Sequence, residues 1–158
     1  KMNTMVKSVD DNLGNYRIPE AARALQEFVD DMSNWYVRRC RDRFWAKRME
    51  QDKVNAYMTL YTALVTVCKA AAPMIPFMTE EIYQNIVRSV DASAKESIHL
   101  CDFPVYNAEQ VDEKLEADMD LVLKIVVLGR ACRKWSSDQE PSANRTDVCK
   151  SRSISARL

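Results

Sequence analysis

The chain has 158 residues, with 23 Lys and Arg against 23 Asp and Glu, so its formal net charge is zero. That length suits one domain with a real core, or a domain with a tail. Balanced charge excludes a polyanion held by overall attraction, so any nucleic-acid contact must come from a concentrated patch.

Only two glycines and five prolines occur, and strand-like alternation is scarce. The expected class is therefore all-α, an antiparallel bundle of about five helices. No glycine-rich phosphate loop is present, and one histidine cannot complete a Ser/His/Asp set. Periodicity brings no carboxylate pair together, so no catalytic residue is expected. Cys40, Cys68, Cys101, Cys132 and Cys149 show no C-x-x-C spacing, which suggests reduced thiols and a cytoplasmic protein. His99 and Cys101 could supply two metal ligands, but nothing nearby completes a site, and no metal is expected. No apolar run reaches transmembrane length and no signal-peptide pattern appears, so no membrane partner is expected. The chain starts in mid-pattern at Lys1, which reads as an excised fragment.

In chain order, Met2, Met5, Val6, Val9 and Leu13 recur at helical spacing, and Gly14-Asn15 signals the stop. Ile18-Pro19-Glu20 opens a second helix, with proline near its first position and a carboxylate in its first turn. This helix is expected to run on through residue 48, with a bend. Asp52 is read as the cap of a third helix, which carries Val54, Met58, Tyr61, Leu64, Val65 and Cys68 and ends at Pro73. The two prolines of Pro73-Met74-Ile75-Pro76 make a rigid apolar turn, and Thr79 is read as the cap of a fourth helix. Ser97 to Pro104 is expected to be extended over the bundle. Asn107 is taken to start a fifth helix, with Val111, Leu115, Met119, Val122 and Ile125 on one face. One core is expected to hold Leu25, Phe28, Met32, Leu64, Cys68, Ile82, Ile86, Val122 and Ile125. Residues 102–120 carry seven acids and one base, a face RNA should avoid.

The stretch from Ser33 to Arg48 says most about function. Between positions 38 and 48 it holds six bases against one acid, Asp42, threaded with the aromatics Trp35, Tyr36, Phe44 and Trp45. Arginine forks suit phosphates, and flat rings suit unstacked RNA bases. The plainer reading is a solvated arginine-rich helix end with its aromatics in the core. Periodicity complicates that reading: the apolar stripe Leu25, Phe28, Val29, Met32, Tyr36 continues into Arg39, Arg43 and Lys47. Burying three unpaired cations is very costly. The helix must bend near Trp35, run out beyond the bundle, or bring acidic partners to the arginines.

Specific motifs then point to a family. Asn15-Tyr16-Arg17-Ile18-Pro19-Glu20-Ala21-Ala22-Arg23, with Phe28-Val29-Asp30-Asp31-Met32-Ser33-Asn34-Trp35-Tyr36-Val37-Arg38-Arg39, closely resembles the anticodon-binding domain of isoleucyl-tRNA synthetases. Pro73 to Tyr83 is similar to a turn shared by the isoleucine, valine, leucine and methionine class I synthetases. Ser97-Ile98-His99-Leu100 with Phe103-Pro104 is similar to the isoleucine enzymes in particular. The resemblance covers about residues 1–133. It implies an α-helical bundle that holds the anticodon stem and loop of isoleucine tRNA, while a separate domain using ATP with magnesium charges the acceptor end. That domain's His-Ile-Gly-His-like and Lys-Met-Ser-Lys-Ser-like motifs are absent here, so the fragment alone should be inactive. It also implies a cytoplasmic monomer and an RNA-facing basic stretch, and with the arginine–aromatic pattern tRNA contact is expected on Trp35, Arg38, Arg39, Arg41, Arg43, Trp45, Lys47 and Arg48. Arg38 or Arg39 could instead make structural ion pairs. Two alternatives stay open: the valine enzyme's domain, or a helical scaffold that docks an acidic protein.

The resemblance breaks after Arg133, which sets the expected boundary between a bundle (1–133) and an irregular tail (134–158). Relatives continue with something like Asn-x-Ala-x-Ile-Lys-Asn-Arg-Gln-Pro-Leu. Lys134 onward, written in allowed codons and read after dropping one base, gives Asn-Gly-Ala-Ala-Ile-Arg-Asn-Arg-Gln-Pro. An inserted base at codon 134 would therefore put the tail out of frame; a divergent natural linker is the alternative.

Overall fold

The computed structural model describes residues 1–137, with backbone alone for Ser136 and Ser137. The tail from 138 on lies outside the described residues. Among those described there are six α-helices and no strand, so the chain is an all-α helical bundle. It divides into two units, Lys1–Val111 and Asp112 onward.

In the first unit, α1 (Met2–Gly14) and α2 (Ile18–Asp31) are joined by a three-residue turn and pack on each other. The turn closes as a Schellman motif. The Tyr16 N–H donates to the Leu13 carbonyl at 3.0 Å and the Arg17 N–H to Asn12 at 2.8 Å. The left-handed residue this motif requires is Tyr16 (φ 58°), and Gly14 keeps a helical sign of φ. Proline near the start of α2 sits where its missing N–H costs nothing.

After α2 the chain makes a π-helical turn (Met32–Val37), then a five-residue helix α3 (Arg41–Trp45), and then α4 (Gln51–Ala71). The expected bend near Trp35 is thus a widened turn followed by a break at Cys40 (φ −84°, ψ 9°). It changes the face that the following residues present, which relieves the conflict between the apolar stripe and the arginines. Asp52 does not cap α4. Glu50 occupies that position, and Asp52 lies inside the first turn.

Buried side chains form two clusters rather than one core. Met5, Val6 and Val9 of α1, Ala21 and Leu25 of α2 and Ala70 and Ala71 of α4 make the first, with Phe28 against it. Cys68 and Ala72 join Tyr83 and Ile98 in the second, with Ile82 against it. Small residues on α4 let helices approach closely on both sides. Val122 and Ile125, expected among the core residues, are exposed.

Helix α5 (Pro76–Tyr83) begins at Pro76, and Thr79 is not its cap. Thr79 is buried, and its hydroxyl donates back to the Ile75 and Pro76 carbonyls at 3.0 and 3.1 Å. A second π-helical turn, Gln84–Arg88, follows. The 97–106 strap is held by Glu80. This carboxylate accepts from Ser97 Oγ at 2.8 Å and the Ile98 N–H at 3.0 Å. The strap is not extended at its start: Ile98–Leu100 is a 3₁₀ turn, so Ile98 is buried while Leu100 is exposed. Further along, Phe103 and Tyr106 lie against the first cluster. Tyr83 donates to the Lys95 carbonyl at 2.9 Å. Its burial, then its contact with the Cys101 thiol, pushes its pKa up to about 12.

Asn107 caps only another 3₁₀ turn (Ala108–Gln110), accepting from the Glu109 N–H at 3.0 Å. In the second unit, α6 (Glu113–Ser137) starts later than the sequence suggested, with the Asp112 carboxylate accepting from the Leu115 N–H at 2.9 Å. It carries the helix through Lys134-Trp135-Ser136-Ser137, past the expected boundary at Arg133.

Candidate nucleic-acid interface

The basic stretch spans the end of the π-helical turn, α3, and the irregular link to α4. A five-residue helix is too short to persist on its own propensity, so tertiary contacts must hold α3. They come from the first two turns of α4. Phe44 is buried, with its ring 6.2 Å from Tyr36 and 5.1 Å from Tyr57, the first pair edge-on. Three hydrogen bonds tie the segment down. Tyr36 donates to the Ala56 carbonyl at 3.1 Å, Tyr57 to the Phe44 carbonyl at 3.2 Å, and Lys53 Nζ to the Ala46 carbonyl at 2.8 Å.

Arg43 completes the attachment. Its Nε and Nη2 donate to the two Asp52 carboxylate oxygens at 2.7 and 2.6 Å, and Nη2 also reaches the Asp52 carbonyl at 3.2 Å. Nη1 lies 3.6 Å from Cys40 Sγ. For one arginine of the stripe this is the acidic partner, one of the three resolutions that periodicity left open. The hydrogen bond from Arg43 holds the Asp52 carboxyl below the usual carboxylate range, and the guanidinium stays charged.

The other expected contact residues point elsewhere. Arg38, Arg39, Arg41, Lys47 and Arg48 are exposed, and Trp35 is half-buried. Arg39 lies over the Trp35 ring at 5.6 Å. Arg41 lies over Trp45 at 4.6 Å, and that indole is 73% exposed. Two cation–ring pairs thus stand on one short segment, with an (i, i+4) spacing in each that puts the members side by side on a helical surface. Sequence reasoning singled out these residues but missed what holds their segment, Asp52, Lys53 and Tyr57. An acid in the first turn of the next helix reads as a cap or dipole partner, and nothing in its spacing from Arg43 marks an ion pair.

Among the described residues no group of three or more His, Cys, Asp or Glu could hold a metal ion. Cys40, Cys68, Cys101 and Cys132 are free thiols. No helix among these residues is long and apolar enough to cross a membrane.

The chain is thus an all-α bundle that presents exposed arginines and an open indole on one short segment attached to α4. The chain belongs to the family described as the anticodon-binding domain of tRNA ligase, which matches residues 1–142. It is similar to the isoleucine–tRNA ligase of Clostridium novyi (strain NT), 56% identical over 137 residues, which are 87% of this chain and 13% of that protein. The Clostridium tetani isoleucine–tRNA ligase is 52% identical over 133 residues, 84% of this chain and 13% of that protein. The Thermus thermophilus enzyme of the same name is 48% identical over 137 residues, 86% and 13%. The chain therefore spans about 13% of the length of these curated relatives.

Proposed function

We propose that this chain binds the anticodon stem and loop of isoleucine tRNA, and does so within an isoleucine–tRNA ligase. The observation that carries the site assignment is the Arg41–Trp45 pair, stacked at 4.6 Å with the indole largely open to solvent. An anticodon loop offers splayed bases beside phosphates. A ring takes the base, and the neighbouring guanidinium takes the phosphate or extends the stack. Trp35, Arg38, Arg39, Lys47 and Arg48 form the rest of the proposed contact surface, with Arg43 inside it. In the longer enzyme, the aminoacylation itself belongs to a catalytic domain using ATP with magnesium. The enzyme works in the cytoplasm as a monomer.

The test is stem-loop binding to this chain with Arg41→Glu and Trp45→Ala. Losing one base–aromatic stack is worth roughly 1–3 kcal/mol, about fivefold to a hundredfold in Kd. Helicity and melting should stay near wild type, since neither side chain is buried. Unchanged affinity in a folded double variant would move the site elsewhere on the bundle.

The tail belongs to the same proposal. With the bundle assigned to 1–133, residues 134–158 are read as an out-of-frame ending. Sequencing the natural gene should show a one-base difference at codon 134. A gene that encodes Lys134-Trp135-Ser136-Ser137 in frame would refute it.

A further inference from the structure

Helix α3 carries outward-facing groups on a support that cannot stand alone. Its five residues are flanked by irregular backbone at Cys40 and by extended backbone at Ala46 (φ −53°, ψ 137°). Phe44 anchors it by its ring contacts with Tyr36 and Tyr57 and by its carbonyl, which accepts from Tyr57, while Lys53 holds the Ala46 carbonyl; among the side chains of α3, only Arg43 adds a two-pronged contact to α4. Rotation matters, because a turn of α3 about its axis would swing Arg41 and Trp45 away from a common ligand. The Arg43–Asp52 pair is a planar two-pronged contact between α3 and the first turn of α4, with both prongs at 2.6–2.7 Å. Such fork-to-carboxylate bonds impose orientation as well as attraction. They also take up Nε and Nη2, one whole edge of the guanidinium, and they keep an anionic carboxylate in contact with it.

We infer that Arg43 and Asp52 form a brace that orients the Arg41–Trp45 pair, so that Arg43 is a positioning residue and not a phosphate contact. This rests on the RNA-binding reading above for its consequence, though the brace itself can be tested without RNA. The distinguishing feature is the sign of the Asp52→Asn effect. If Arg43 touched phosphate, neutralising Asp52 would free the guanidinium, remove a negative charge from the surface and tighten binding. If the pair is a brace, Asp52→Asn loosens α3 and weakens binding, although the surface has become more positive.

The experiment uses this chain with Arg43→Lys, Arg43→Gln, Asp52→Asn and the Arg43→Gln/Asp52→Asn double. Two readouts are taken: Kd for the isoleucine tRNA anticodon stem-loop across salt concentrations, and amide hydrogen exchange of residues 41–46 without RNA. The brace predicts that each single variant weakens binding about twofold to fivefold, the double no more than either single. Arg43→Lys behaves like Arg43→Gln, because the two-pronged geometry that both lose, and not the charge that Lys keeps, orients α3. The salt slope stays at its wild-type value throughout, and exchange of residues 41–46 accelerates while that of α1 and α2 does not. Tighter binding by Asp52→Asn, or a salt slope smaller by about one in Arg43→Gln, overturns the proposal and makes Arg43 a phosphate contact. Failure of the wild-type chain to bind the stem-loop refutes the functional reading instead. In that case exchange alone decides the brace, and unchanged exchange in all three single variants refutes it.

Discussion

Replacing Glu80 by Gln tests how the strap from Ser97 onward is fastened to the bundle. Glu80 stands at the middle of α5. One carboxylate oxygen accepts from Ser97 Oγ and the Ile98 N–H, and the other accepts from Gln84 Nε2 at 2.7 Å. Glutamine keeps the shape but offers only one accepting oxygen, so at least one donor now faces an NH₂ group. A hydrogen bond to a charged acceptor contributes about 1.5–3 kcal/mol when well shielded, and Glu80 is half-buried, so about 1–2 kcal/mol is the expected loss. Ile98 lies next to the broken contact and is only 2% exposed, which couples the loss to the second buried cluster.

Urea unfolding followed by helical circular dichroism measures that difference, and pH gives it a sign. The hydrogen bonds from Gln84 and Ser97 hold the folded Glu80 carboxyl below its ordinary range. The folded pKa is thus below the unfolded value of about 4.3, so the stabilisation is full above that value and is lost as pH falls through the folded pKa. The wild-type advantage over Glu80→Gln should therefore be present at neutral pH and shrink on acidification through the carboxylate range. An advantage independent of pH between neutrality and strong acid would refute the reasoning, because it would show that the charge on Glu80 does not hold the strap.

Two further outcomes follow from the backbone and the surface. Tyr16→Gly should stabilise the chain by about 1 kcal/mol, since the left-handed position at the α1 terminus costs a side-chain-bearing residue about that much and Tyr16, 92% exposed, loses little packing; urea unfolding reads it directly. Arg39→Glu should leave melting within about 0.5 kcal/mol of wild type, because Arg39 is exposed and lies over Trp35 rather than inside a cluster; circular dichroism melting checks it.

The helices were legible where periodicity and punctuation agreed. The stripe Met5, Val6, Val9 and the Ile18-Pro19 start produced α1 and the beginning of α2 as expected, whereas the run expected through residue 48 is α2, a π-helical turn and the separate α3. Cap assignments fared worse, because Ser, Thr, Asp and Asn look alike as signals wherever they precede an apolar run. Thr79 is a buried helical residue, Asp52 an ion-pair partner, and Asn107 the cap of a 3₁₀ turn. The conflict between the apolar stripe and Arg39, Arg43 and Lys47 was itself informative. It left a bend, a helix end running out beyond the bundle, or an acidic partner, and the chain shows the first and the last, a π-helical turn at Met32–Val37 and Asp52 against Arg43. Which arginine meets the acid depends on how α3 folds back on α4, a tertiary fact with no periodic trace.

The most direct test of the central claim is binding of the isoleucine tRNA anticodon stem-loop to this chain, beside stem-loops of unrelated tRNAs and across salt concentrations. The account predicts tighter binding to the isoleucine loop. It also predicts affinity falling as salt rises, with a slope reduced by about one when Arg41 is neutralised. Equal affinity for all loops, or binding that ignores both salt and the Arg41–Trp45 pair, would contradict it.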